Sequence, residues 1–171
     1  MMEKTPGHDF ITRINEHVGI AHKICRMYFD DQDDRQDAFQ EMMYQLWKSY
    51  EGFDGRSKFS TWMYSVCLNT ALTFRRKQQR HAAEPLSADV HRIADEQPAA
   101  EDTVSLMFRA IQHLSPVKKA IILLYLEDLS YEEIASITGL TVSNVSVRLV
   151  RIKRELEEMI KKLNNTSDVK F

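Results

Sequence analysis

The stretch SYEEIASITGLTVSNVSVRL, residues 130–149, contains the start and stop signals of two helices separated by a tight turn. Ser130 and Glu133 have the spacing of a capping box, in which each side chain satisfies a free backbone amide at the start of a helix. Gly139 suits the left-handed position that ends a helix, and Thr141 can cap the helix that follows. A short helix, a turn and a longer helix in this order predict a helix-turn-helix.

The side chains of this motif separate into a packing face and a polar face. Ile134, Ala135, Val145 and Leu149 fit the internal packing of the two helices. The polar face carries side chains that can reach base edges and phosphates in a major groove. These side chains are Thr141, Ser143, Asn144, Ser146, Arg148 and Arg151. An ordinary helical hairpin with a solvated face has the same pattern, but the capping box, the glycine and the helix lengths together favour DNA binding.

Further helices are predicted on both sides of the motif. Apolar residues spaced three and four apart are typical of amphipathic helices, and they occur in the ranges 10–28, from the acidic run at 30–34 to about 50, 60–80, 104–114 and 116–126. The chain has only five glycines and four prolines among its 171 residues. That is little of the turn chemistry of sandwiches and barrels, so the expected fold is all-α.

The charge distribution and the prolines indicate two domains. The formal net charge is only -2, but residues 81–105 hold six acidic and one basic side chain, whereas both flanks are neutral to slightly basic. Residues 81–103 also contain two of the four prolines and have no strong helical period. We therefore expect two small helical domains at 8–80 and 104–163, joined by a flexible acidic linker at 81–103 that does not require them to touch.

A second signal for nucleic-acid binding lies in the first domain. Residues 53–62, FDGRSKFSTW, interleave aromatic with basic side chains, and the helix that follows ends in four basic residues among six, at 75–80. Such a pattern suits single-stranded nucleic acid, because bases stack on rings and the backbone follows positive charge. In the alternative interpretation, Trp62 and Phe74 are core residues and the basic run stabilises the end of a helix.

The sequence has no motif of an enzyme, a metal site or a membrane segment. The six histidines are scattered, and neither HExxH nor a phosphate loop is present. Cys25 and Cys67 lie inside apolar helical patterns, which predicts buried thiols in a reducing compartment. No apolar run approaches the roughly 20 residues of a membrane span, and no signal peptide is recognisable. We expect a cytoplasmic protein without catalytic residues, metal or cofactor and without membrane insertion.

Three segments resemble an extracytoplasmic-function (ECF) sigma factor of bacterial RNA polymerase, the class that has only regions 2 and 4. Residues 37–47, DAFQEMMYQLW, resemble region 2.2; residues 53–71 resemble regions 2.3 and 2.4; and residues 129–151 resemble region 4.2. The resemblance covers nearly the whole chain in the right order. It implies an alternative sigma factor that directs core polymerase to specific promoters and aids initiation by recognising and melting the -10 element.

The resemblance also implies three binding surfaces. The surface for the clamp coiled coil of the largest polymerase subunit would comprise Asp37, Gln40, Glu41, Gln45 and Trp47, although Trp47 fits a core position equally well. The surface for the -10 element would comprise Arg56, Ser57, Lys58, Phe59, Asn69, Arg75, Arg76 and Arg80. Region 4 would contact the polymerase flap and would bind the -35 element through Thr141, Ser143, Asn144, Ser146, Arg148 and Arg151.

Two positions depart from the family pattern. Ser65 and Val66 stand where housekeeping sigma factors have a pair of wedge tryptophans, which implies weaker melting and strict dependence on a good promoter. Ser146 stands where many relatives have a basic residue, so the -35 sequence cannot be carried over. The family further implies an anti-sigma factor as partner, often anchored in a membrane.

Two alternatives to the sigma factor remain open from the residues. A stand-alone helix-turn-helix regulator would use residues 1–80 for sensing or dimerisation and would bind a symmetric operator without polymerase. An adaptor or anti-sigma protein would use its apolar stripes for partner helices and would never touch DNA.

Overall fold

The computed structural model describes residues 6–82 and 103–167, with side chains described at 9–80 and 104–164. These residues form eight α-helices and no strand, which confirms the all-α expectation. The helices are α1 Pro6–His17, α2 Gly19–Tyr28, α3 Gln32–Ser49, α4 Phe59–Ala82, α5 Thr103–Gln112, α6 Pro116–Leu126, α7 Tyr131–Thr138 and α8 Val142–Ser167. The acidic linker expected at 81–103 lies outside the described residues, apart from the helix ends it shares with α4 and α5.

The helix-turn-helix of α7 and α8 is confirmed by its hydrogen bonds. The Ser130 hydroxyl accepts from the backbone amide of Glu133 at 3.2 Å, and the Glu133 carboxylate accepts from the amide of Ser130 at 2.9 Å. Gly139 ends α7 in the left-handed conformation, with φ +71°. The Thr141 hydroxyl then accepts from the amide of Asn144 at 3.2 Å and caps α8. Both helix starts and the turn between them therefore follow from local sequence.

Two local features differ from the sequence prediction. The single helix expected from Phe10 to Tyr28 is split into α1 and α2 beside Val18, because Gly19 is a weak helix former at the break. At the start of α6, the pair Ser115-Pro116 has the sequence pattern of a hydroxyl N-cap followed by proline. Pro116 does occupy the first helical position, but the Ser115 hydroxyl makes no capping hydrogen bond. The fixed φ of Pro116 therefore sets the start of α6 without help from the Ser115 side chain.

The helices pack in two groups that contact each other. In the first group α2 and α3 pack on α4, and in the second α5, α6 and α7 pack on α8. The groups meet where α4 contacts α6 and α7. Their buried apolar side chains form one continuous cluster. The sequence of the linker did not decide whether the two groups are in contact. The structure shows that they are.

Candidate nucleic-acid interface

The polar face predicted for α8 lies on the surface. Val145 and Leu149, one helical turn apart, are fully buried and fix the orientation of the helix. The predicted -35 residues project away from this buried stripe, Ser146 being half-buried and the others exposed: Thr141, Ser143, Asn144, Arg148 and Arg151. The helix therefore presents hydroxyl, amide and guanidinium groups together, which can hydrogen-bond base edges and phosphates.

An open groove runs beside this face and gathers more positive charge. Four cationic side chains and two carboxylates line it, so positive charge is in excess: Arg148, Arg151, Arg154 and Lys118 with Glu155 and Glu158. Lys118 forms a 2.6 Å ion pair with Glu155. A concave surface lined with positive charge attracts a polyanion more strongly than scattered surface charges do. Arg154 was not predicted as a site residue, although its spacing of three from Arg151 was a signal. Lys118 had no signal, because only the packing of α6 brings it there.

The loop before α4 is held in shape by Asp54. Its carboxylate accepts from the Arg56 amide at 3.1 Å and forms an ion pair with the Arg56 guanidinium. These interactions, led by the backbone hydrogen bond, lower the pKa of Asp54. Gly55 takes the turn with φ +73°. Ser57 and Lys58 are exposed at the tip, whereas the charge of Arg56 is partly neutralised by its pairing with Asp54.

Phe59 belongs to an aromatic cluster at the start of α4. Its ring lies 5.6 Å from that of Phe53 and 5.3 Å from that of Trp62, and the Arg13 guanidinium lies 5.8 Å from its centroid. Phe59 and Trp62 are half-buried and pack against the core. Phe74 packs in the same way, 5.4 Å from the ring of Phe29. Trp62 and Phe74 therefore pack against the core, as the alternative interpretation of this segment predicted.

The basic run at the end of α4 has two kinds of members. Arg76 and Arg80 are exposed, as is Asn69 earlier on the same helix. Arg75 is half-buried and donates a 3.2 Å hydrogen bond to the backbone carbonyl of Tyr28, at the end of α2. The predicted -10 residue Arg75 thus has a structural partner that its neighbour Arg76 does not have in the described contacts.

The predicted polymerase surface is a stripe along α3. Asp37 and Gln40 are exposed, while Glu41 and Gln45 are half-buried and joined by a 2.8 Å hydrogen bond. Trp47 is 55% exposed, which places it on the surface and not in the core.

One exposed aromatic side chain on the same helix, Tyr44, was not predicted from the sequence. It is 56% exposed. Its position, four residues after Gln40 and three before Trp47, could have identified it, since residues at these spacings share a helix face.

Cys25 and Cys67 are buried, and burial raises their pKa to about 11 and about 12, so both stay protonated at neutral pH. In the part of the chain that the structure describes, His, Cys, Asp and Glu form no cluster suited to a metal ion. Over the same ranges, no helix combines the length and apolarity needed to cross a bilayer.

Comparison with family models and curated proteins gives matches in both groups of helices. The model of sigma-70 region 2 matches residues 13–81, and the model of sigma-70 region 4 matches residues 106–156. The ECF RNA polymerase sigma-E factor of Escherichia coli is 29% identical over 165 residues, covering 85% of each chain. The RNA polymerase sigma factor SigV of Bacillus subtilis is 30% identical over 156 residues, covering 82% of this chain and 84% of SigV.

Two solved structures are similar in fold. The sigma factor RpoE of Bartonella quintana, in complex with the anti-sigma factor NepR, matches with a TM-score of 0.73 and 22% identity over 90% of this chain and 97% of RpoE. CnrH, in complex with the cytosolic domain of CnrY, matches with a TM-score of 0.62 and 19% identity over 90% of this chain and 88% of CnrH.

Proposed function

The chain belongs to the ECF sigma factors of bacterial RNA polymerase, and we propose how its two groups of helices divide the work of promoter recognition. It is an alternative sigma factor, and sigma factors are initiation factors and not catalysts. Residues 8–80 act as region 2 and residues 104–163 as region 4, with 81–103 as the linker. The polymerase performs the chemistry in the cytoplasm, so we assign no catalytic residue and no cofactor to this chain.

Region 4 binds the -35 element through α8. The observation that carries this proposal is the exposed polar face of α8 behind a fully capped α7 and turn. Arg148 and Arg151 supply charge-assisted contacts to phosphates or to guanine, and Asn144 can bond an adenine edge. Arg154 and Lys118 extend the positive surface along the groove. A further contact of region 4 with the polymerase flap completes the proposal for this domain.

Region 2 binds the -10 element through the loop before α4 and the exposed side of that helix. Ser57 and Lys58 at the loop tip, with Asn69, Arg76 and Arg80 along α4, face solvent and can meet an unpaired strand. The half-buried rings of Phe59 and Trp62 form one side of the same surface. A base extruded from the duplex needs such a pocket, built from a loop and ring faces.

The stripe along α3 docks on the clamp coiled coil of the polymerase. Exposed Trp47 and Tyr44 can anchor it, because aromatic residues carry much of the energy of protein interfaces. Asp37 and Gln40 provide a polar rim around them. An anti-sigma factor is a further proposed partner, and the complexes of the two structural neighbours with NepR and with CnrY support it.

Run-off transcription from a pool of genomic fragments tests the proposal. Core polymerase is assayed with and without the chain, and the transcripts are mapped. We expect start sites that depend on the chain and share two spaced upstream elements. If core gains no activity while the chain alone shifts a palindromic fragment, a stand-alone regulator replaces the sigma factor. If a folded chain does neither, an adaptor that never touches DNA is the remaining explanation.

A further inference from the structure

An apolar side chain, Val147, lies in the middle of the polar face of α8. Val147 is 47% exposed, whereas Val145 and Leu149, two residues away on either side, are buried. Since successive residues of an α-helix are about 100° apart, Val147 lies about 160° around the helix from each of these buried side chains. It therefore points directly away from the core.

The surroundings of Val147 are polar, with positive charge in excess. Val147 lines the open groove beside α8 together with four hydrogen-bonding side chains, Asn144, Arg148, Arg151 and Arg154. Ile152 also lines this groove, but it is 1% exposed and belongs to the buried stripe. Of the described residues that line the groove, Val147 alone offers an exposed apolar group.

Folding does not account for a valine at this position. A β-branched side chain loses rotamer freedom in a helix, so valine is a weaker helix former than alanine or arginine. The packing of this part of α8 is done by Val145 and Leu149, which are buried where Val147 is not. Val147 therefore contributes little to stability, and its place among DNA-binding groups suggests a contact with DNA.

The major groove of DNA offers one apolar group to such a side chain. That group is the C5-methyl of thymine, whereas the other positions at the base edges are hydrogen-bond donors or acceptors. Residues near the start of a recognition helix contact these edges, and Val147 lies in the second turn of α8. The amide and guanidinium groups around it suit adenine and guanine, which leaves the thymine methyl for the valine.

We propose that Val147 is a specificity-determining residue for the -35 element, and that its side chain contacts the C5-methyl group of one thymine in that element. The inference rests on the proposed role of α8. It adds one feature to the expected -35 sequence, a 5-methyl group at a defined position, which the hydrogen-bonding side chains of α8 cannot recognise.

Replacing thymine by uracil tests the proposal, because uracil keeps the O4 acceptor and the base pairing and lacks only the methyl group. Core polymerase carrying the full chain first enriches promoter-length duplexes from a random library. Each thymine in the upstream element that the enriched duplexes share is then replaced by deoxyuridine, one at a time, on either strand. The dissociation constant of the polymerase with the full chain is measured for every duplex.

The wild type should lose affinity when uracil stands at one particular position. We expect a loss of about threefold to fivefold there, the effect of one methyl group removed from water. Val147→Ala should bind the thymine duplex more weakly by a similar factor, and uracil at that position should change its affinity by less than about 1.5-fold, because the two changes remove the same contact.

Val104→Ala is the matched control, since it truncates another exposed valine, on α5, that does not line the groove. It should keep the wild-type response to uracil. Any effect of uracil on the stiffness of the duplex acts on all three proteins alike. Alanine is the better helix former, so Val147→Ala should melt no lower than the wild type.

A gain of binding is the second readout. Cytosine is placed at the position that responds to uracil, and 5-methylcytosine then restores the methyl group on a G·C pair. We expect methylation to raise the affinity of the wild type about twofold or more and to leave that of Val147→Ala unchanged.

Two results would overturn the inference alone. One is an enriched upstream element in which uracil weakens the wild type nowhere. The other is a loss of equal size in the wild type and in Val147→Ala at every thymine. If the wild type enriches no upstream element at all, the proposed role of α8 fails, and the contact of Val147 fails with it.

Discussion

The two helices proposed to bind DNA differ in how far their polar residues are already occupied. On α8, Arg148 and Arg151 are exposed, and the buried stripe at Val145 and Leu149 does the packing. On α4, packing and recognition overlap, since Arg75 bonds the Tyr28 carbonyl and the first turn is covered by α7. The polar face of α8 is therefore not needed for packing, whereas residues of α4 proposed to bind DNA also take part in packing.

Because of this difference, we expect substitutions on α8 to change DNA binding without changing stability, whereas substitutions on α4 should change both. Where the recognition face and the packing face share no residue, loss of a contact to DNA leaves the stability unchanged. Where one residue belongs to both, folding and binding change together. Four experiments test this contrast, and the first has the largest expected effect.

The first substitution is Arg148→Ala/Arg151→Ala. Each arginine can make contacts with bases or phosphates worth about 1–3 kcal/mol, so we expect a loss of roughly 100-fold or more in run-off transcription. The melting temperature should stay within about 1 °C of the wild type, since neither residue packs. Transcription and thermal melting on the same preparation are the two measurements.

A matched control removes two positive charges elsewhere on α8. Lys161→Ala/Lys162→Ala changes the net charge by the same amount, near the far end of the helix. It should keep transcription within about twofold, because exposed charges beyond a Debye length of about 8 Å act weakly. If both pairs lower transcription equally, the effect comes from net charge, and the proposed recognition face is wrong.

The second experiment compares Arg75→Ala with Arg76→Ala on α4. Arg75→Ala leaves the Tyr28 carbonyl without its donor, and a hydrogen bond from a charged group contributes about 1.5–3 kcal/mol when it is well buried. For a half-buried pair we expect about 1 kcal/mol, or ~2–4 °C in melting temperature. Arg76→Ala should leave the melting temperature unchanged and weaken only DNA binding. Equal melting temperatures for the two variants would show that Arg75 has no structural role.

The same contrast explains how far the sequence could predict this molecule. The helix-turn-helix follows from neighbours within four residues, such as Ser130 with Glu133, so capping rules were sufficient. The contact of Lys119 with Met27, and of Glu127 with Lys23, joins residues about 100 positions apart. Helical spacing carries no information on such pairs. Arg75 was therefore predicted to contact nucleic acid, but its hydrogen bond to the Tyr28 carbonyl could not be predicted.

The third experiment uses two glycines with nearly the same backbone. Gly139 has φ +71° and Gly55 has φ +73°, and a Cβ added at either would meet no atom within 4 Å. Each alanine substitution should therefore introduce only backbone strain, of about 1–2 kcal/mol. Gly139→Ala strains the turn of the helix-turn-helix, and Gly55→Ala strains the loop before α4.

Hydrogen exchange should distinguish the two glycine variants, because their melting temperatures should fall by similar amounts. Both should melt at temperatures ~2–8 °C lower, at about 2–4 °C per kcal/mol. Protection from hydrogen exchange should fall around α7 for Gly139→Ala and around the loop for Gly55→Ala. A melting temperature unchanged in either variant would mean that the alanine relaxes into another turn at that position.

The smallest effect concerns two serines at the N-termini of neighbouring helices. The Ser130 hydroxyl accepts a hydrogen bond from the amide of Glu133, whereas the Ser115 hydroxyl caps nothing. Ser130→Ala should cost about 1 kcal/mol, within the range of about 0.5–2 kcal/mol for lost caps, and Ser115→Ala should cost a few tenths at most. Urea unfolding of the two variants measures the difference. Equal free energies of unfolding for the two variants would remove the capping box as a source of stability for α7.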